Sequence, residues 1–172
     1  GSANTIVVSY HFGSKDALVE AVCRHRLPAI DARRRALLDA ADAGAAPPCV
    51  ADLVRVFALP LFEQVDSEGR HSFARFIAGL ERSGMIGARG ALVGEFPETE
   101  RVIARMAALP GMGDARAVAR RLRLAMGMLV TALQIIDREM DPGSPAARQS
   151  YDEAMTMATA ALLAGPAAGE PA

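Results

Sequence analysis

The chain has 172 residues, 19 basic and 20 acidic groups and a net charge of −1, enough for one or two small domains with a substantial core. Half of it is hydrophobic, Ala occurs 35 times and Trp is absent, which favours helix and speaks against β-sandwiches, barrels and disorder. No apolar run approaches the roughly 18 to 20 residues of a membrane span, and no signal peptide opens the sequence. Cys23 and Cys49 form no CxxC and have few histidines for company, so neither a zinc site nor a disulfide framework is expected, and a reducing cytoplasm is the default compartment.

Along the chain, Gly13-Ser14 separates a short first segment from a long one beginning at Lys15. Ser14 is a good N-cap and Asp16 complements the helix dipole. Ala17, Leu18, Ala21, Val22, Leu27, Ile30, Leu37 and Leu38 are spaced as an amphipathic helix, with Pro28 expected to kink it and Gly44 to end it. Ala45-Ala46-Pro47-Pro48 reads as a linker and the best domain boundary. Val50, Leu53, Val54, Phe57, Leu61 and Val65 mark a second stretch, interrupted at Pro60, and Phe73 to Leu80 a third that Gly84 should stop. Pro97 opens a helix carrying Val102, Ile103, Met106 and Leu109, and Asp114 caps another over about 115–139. Ser144-Pro145 starts the last helix, about 145–163, before a tail at 165–172.

The last two helices are apolar on two sides. The first has Val118, Leu122, Ala125, Leu129, Leu133 and Ile136 on one stripe and Leu124, Met128 and Ile135 on another. The second has Ala154, Ala158, Ala161 and Leu162, then Met155 and Met157. That is more apolar surface than one small domain covers, and the small residues permit close approach. A two-fold homodimer built as a four-helix bundle is expected, with Ala125, Leu129, Ala132, Ala154, Ala158 and Ala161 at the interface.

No catalytic constellation stands out. His11, His25 and His71 share no metal spacing, and GxSxG, GxGxxG and a Walker loop are all missing; Gly84 to Gly90 (GMIGARG) follows a helix and lacks the GKS/T ending. The chain is therefore expected to be no enzyme, with no metal and no cofactor. The informative stretch is Asn4 to Leu18 (NTIVVSYHFGSKDAL): a short helix with small polar groups, a glycine break and a capped helix that begins with lysine. Such a helix can reach base edges and phosphates while Ile6, Val7 and Phe12 anchor it from behind.

YHFGSKDALVEAV (Tyr10 to Val22) resembles the hallmark of the tetracycline-repressor (TetR) family of transcriptional regulators, with Tyr10, Phe12, Lys15, Ala17 and Leu18 matching residue by residue. The specific motif covers about 20 residues. The resemblance implies an all-α, TetR-like fold: a remnant helix-turn-helix domain with a long connecting helix at 1–44, a helical effector-binding and dimerisation domain at 45–164, and a flexible tail at 165–172. It implies a ligand-responsive one-component repressor whose homodimer binds a palindromic operator in double-stranded DNA. Asn4, Thr5 and Ser9 would face base edges or phosphates, Tyr10 and Lys15 would meet the phosphate backbone, and His11 would contact DNA or close the helix end. Arg24, Arg26 and Arg33 to Arg35 lie farther from the groove and read as a solvated or internally salt-bridged face. In the family two helices precede the motif, whereas three residues precede Asn4 here, so those helices are expected upstream of this chain.

An effector pocket is expected among Phe57, Phe73, Phe76, Met106 and Met128, where few charges and adaptable methionines suit a small apolar effector. Gln134, Thr131 and His71 are polar groups near those stripes that could orient it. The rival reading is a helical small-molecule-binding or protein-interaction bundle that never touches DNA.

Overall fold

Six helices form among the described residues of the computed structural model (14–85, 87, 92 and 94–164), and no strand does. They are α1 Lys15–Asp42, α2 Val50–Phe62, α3 Ser72–Ser83, α4 Glu98–Ala107, α5 Ala115–Glu139 and α6 Pro145–Leu163. The all-α expectation is met.

Local chemistry sets most of these bounds. Ser14, Asp114 and Ser144 each accept a hydrogen bond from the backbone N–H three residues on, at 3.1, 2.7 and 3.1 Å, satisfying donors that a helix start leaves orphaned. Gly84 ends α3 in the left-handed conformation at φ 72°, which a side chain would resist. At the prolines one expectation fails. The helical run of α1 carries Pro28 within it, and α2 continues past Pro60 to Phe62 rather than being interrupted there. Burial explains it: α2 has Val50, Leu53, Val54, Val56, Ala58, Leu59, Pro60 and Leu61 buried, so packing on nearly all sides holds the helix across its missing hydrogen bond.

That near-complete burial makes α2 the central helix, touching all five others. The antiparallel pair α5–α6 packs against it, and Ala125, Leu129, Ala154 and Ala158 fill one cluster with Leu53, Val54, Met106 and Val118. α1 belongs to the same body: Leu38 joins that cluster, while Cys23, Leu27 and Ile30 join Leu61, Phe73 and Leu80 in a second. The described part of 1–44 thus packs directly on 45–164.

The placement of the expected dimer residues follows. Ala125, Leu129, Ala154 and Ala158 are buried within the protomer, chiefly by the α5–α6 contact, and Ala132 is half-buried; of the six only Ala161 is exposed. The small residues do permit close approach, but between two helices of one chain. The apolar groups left facing outward are others: Leu124 at 73% and Met157 at 60% exposure, with Leu163 beyond them.

Candidate ligand cavity

α1 is tied to the rest of the fold by a polar seam. Asp31 and Arg34 share the face of α1 that buries Leu27, Ile30 and Leu38, and both are themselves buried. The Asp31 carboxylate accepts from the Glu98 N–H at 3.0 Å, placing a negative charge at the first turn of α4, where the helix dipole welcomes it. Arg35 donates to buried Glu98 at 2.9 Å, and Glu98 also accepts from Arg101 at 2.7 Å. Farther along, Arg24 pairs with Glu95 and Arg33 grips Glu63 through two 2.8 Å bonds. The arginine run is therefore an internally bridged face for Arg24, Arg33 and Arg35, as expected.

Arg34 is the exception within that run. It is 5% exposed, and its Nε and Nη2 donate to the Phe57 carbonyl at 3.1 and 3.0 Å, while Nη1 donates to Thr99 Oγ1 at 2.8 Å. Its guanidinium also lies 4.8 Å from the centre of the Phe57 ring. The carbonyl that Pro60 leaves without a helical N–H is that of Val56, and Arg34 donates to the next one, Phe57, in the same turn that the proline ring crowds.

Beside Arg34 lies a cavity of about 610 Å³, within the range that holds drug-sized ligands. α1 contributes Leu27, Ile30 and Arg34; α2 contributes Phe57 and Leu61; α3 contributes Phe73 and Ile77; α4 contributes Thr99 and Ile103. α5 lines it from Ala119 to Gln134, through Leu122, Met126 and Val130. Glu81 of α3 and Arg123 of α5, partly or well exposed, pair across it with Nε to Oε2 at 2.8 Å.

Two of the five expected lining residues, Phe57 and Phe73, are present in this wall, together with Gln134 and Thr131. Phe76, Met106 and Met128 are not. Helical phase is the reason: Met128 lies about 200° round the helix from Met126, which does face the cavity, and packs instead on the main cluster. Met106 is wholly buried there too, leaving Thr99 and Ile103 as the α4 side chains that line. Phe76 stacks on Phe73 at 6.0 Å behind the wall, and Ile77 takes the lining position. His71 is engaged elsewhere: its Nδ1 meets Asp137 at 2.6 Å, its Nε2 faces the Phe62 carbonyl at 3.2 Å, and its backbone N–H donates to the same carboxylate.

Leu27, Ile30, Arg34, Ile77 and Thr99 were not anticipated. The signal for Arg34 was available, since residues 27, 31, 34 and 38 share one face of a helix and two of the four are charged. Of the expected DNA-binding residues, Asn4, Thr5, Ser9, Tyr10 and His11 lie outside the described residues, and Lys15 is exposed at the first position of α1. Among the described residues there is no group of three or more His, Cys, Asp or Glu able to hold a metal, and no helix long and apolar enough to cross a membrane. The sequence matches no known family profile and no curated relative.

Proposed function

We propose that this chain is the effector-binding part of a ligand-responsive, TetR-like transcriptional repressor that acts as a homodimer on a palindromic operator. The observation that carries the reading is the wall of the cavity. Three of its side chains, Leu27, Ile30 and Arg34, belong to α1, the helix that begins within the motif Tyr10 to Val22. A molecule seated there touches the helix that leads directly from the segment expected to read DNA, so differential binding to two positions of α1 would couple the sites.

The outward face of α6 supports the dimer. Met157, Ala160, Ala161 and Ala164 recur at i, i+3, i+4 and i+7 and are all exposed. Two copies of such faces make a four-helix bundle across a two-fold axis, which would set two recognition segments on successive half-sites.

Selection from random DNA duplexes by the full-length protein tests the reading. A palindromic sequence should be enriched and then bound in a shift assay. No enrichment at low salt would refute DNA recognition and leave the ligand-binding bundle.

A further inference from the structure

The wall of the cavity divides along α5 into a charged end and a neutral one. At the charged end Arg123 pairs with Glu81, and exposed Arg82 follows Glu81 on α3. Deeper in, Arg34 is engaged by the Phe57 carbonyl and by Thr99. The neutral end is a strip of α5 itself. Leu124, Gly127, Thr131 and Gln134 recur at i, i+3, i+7 and i+10, so they share one face of the helix, and all four line the cavity. The first three are exposed and Gln134 is half-buried, which makes this strip an edge where the cavity meets solvent. Gln134 lies about 16 Å along the helix axis from Arg123, at 1.5 Å per residue.

Two features of the strip point to the same guest. The first is room. A glycine inside a helix weakens it relative to alanine. At Gly127 neither a positive φ nor a close neighbour calls for one, since a Cβ there would meet nothing within 4 Å. The missing side chain leaves bare backbone and open space in the cavity wall. The second feature is hydrogen bonding without charge. Thr131 Oγ1 donates to the Gly127 carbonyl at 2.9 Å, which leaves its oxygen able to accept. The Gln134 carboxamide, which bonds to no other described residue, offers donor and acceptor together. A neutral head group with its own donor and acceptor meets both while its far side stays in water. A carboxylate or an ammonium finds no countercharge on this strip and loses hydration to the apolar wall beside it. That wall, with Leu27, Ile30, Leu61, Phe73, Met126 and Val130, takes the body of the guest. We propose that the ligand is an uncharged amphipathic molecule, with an apolar body inside and a head bearing both a hydrogen-bond donor and an acceptor, such as a carboxamide, seated over Gly127 and held by Thr131 and Gln134. This rests on the cavity being the effector site and names Gln134 as its specificity-determining residue.

Titration calorimetry on the chain with octanamide, methyl octanoate and octanoate, each below its solubility or aggregation limit, tests this. A cavity that reads apolar area alone favours the ester, the least hydrated of the three, and one that reads charge at Arg82 or Arg123 favours octanoate. The proposal requires octanamide to bind about three- to tenfold tighter than the ester, the net worth of a hydrogen bond exchanged with water, and tighter than octanoate. Gln134→Leu, with its fold checked by circular dichroism, should bring octanamide to or below the ester while the ester still binds. Gly127→Leu, which favours the helix, should fill the seat and weaken octanamide about threefold or more. Octanamide bound no tighter than either of the other probes by the wild type, or an order that survives Gln134→Leu, overturns the neutral head yet leaves the cavity as a binding site. Octanamide binding unchanged by Gly127→Leu overturns its seat on α5. Binding of none of the three probes overturns both the proposal and the effector site. Where Gln134→Leu fails to fold, the wild-type order and Gly127→Leu decide.

Discussion

Tyr151 offers a test of the core in which removing a polar atom should strengthen the protein. Its side chain is buried between α6 and the end of α2, with its ring stacked on Phe62 at 4.0 Å between centroids and 22° between planes. The hydroxyl is also buried and has no hydrogen-bond partner. A hydroxyl that leaves water without finding a partner costs about 1–3 kcal/mol. Tyr151→Phe removes that cost, keeps the ring and its stacking, and leaves a gap of one oxygen whose lost contacts offset part of the gain. The net expectation is a stabilisation of about 1 kcal/mol at neutral pH, or about 2–4 °C in Tm for a chain of this size. The difference should widen in alkali. Burial pushes the Tyr151 phenol well above its ordinary range, with Arg55 and Arg148 only partly opposing it. A folded-state value above the unfolded one gives stability that is full below about pH 10 and is lost as pH rises towards the folded value. The phenylalanine variant has no such loss. Urea unfolding of both proteins at pH 8 and pH 10.5 measures both effects. A variant less stable by 1 kcal/mol or more at pH 8 would show that the hydroxyl is bonded and that the reasoning is wrong.

Three further outcomes follow from named contacts. His71→Ala takes the ring Nδ1 from Asp137, a carboxylate only 3% exposed, and leaves it the backbone N–H of residue 71 as its remaining donor from that residue, so it should cost about 1.5–3 kcal/mol in urea unfolding; a loss under about 0.5 kcal/mol would show that water replaces the ring freely. At the start of α2, the Cys49 side chain and then its backbone N–H hold the Asp52 carboxylate below its usual range. That contribution is present at neutral pH and disappears as pH falls through the lowered value, so Asp52→Asn should flatten stability between about pH 5 and 3 relative to wild type; parallel acid curves would count against it. Neighbouring positions on α6 should behave oppositely: Ala158→Glu, which forces a carboxylate into the core, should unfold the protomer, whereas Met157→Glu should leave its fold intact and yield monomers in sedimentation velocity. A Met157→Glu protein that stays dimeric would place the interface elsewhere.

Helix punctuation was legible because it is local. Ser14, Gly84, Asp114 and Ser144 act on backbone groups within three residues, and their chemistry is the same before and after folding. Pro60 misled for the complementary reason, since its cost is local but the burial that offsets it comes from several other helices. The two apolar stripes of α5 and α6 were visible as stripes. Which stripe faces the same chain and which faces out depends on the crossing of two helices, and periodicity does not encode that crossing. The cavity was foreseen as an apolar space but assigned by residue type. Methionine and phenylalanine suggested lining, whereas phase decided it: Met126 faces in and Met128 faces away.

The charged residues on the inner face of α1 bear on how its position could matter. Val19, Cys23, Leu27, Ile30 and Leu38 make an apolar stripe that would tolerate a shift of α1 along its axis, because aliphatic packing is non-directional. Asp31 and Arg34 do not tolerate it. One accepts from a particular N–H of α4; the other donates to a particular carbonyl of α2 and a particular hydroxyl of α4. Apolar residues of similar volume in their place would leave stability about equal or raise it, so the directional bonds contribute register more than free energy.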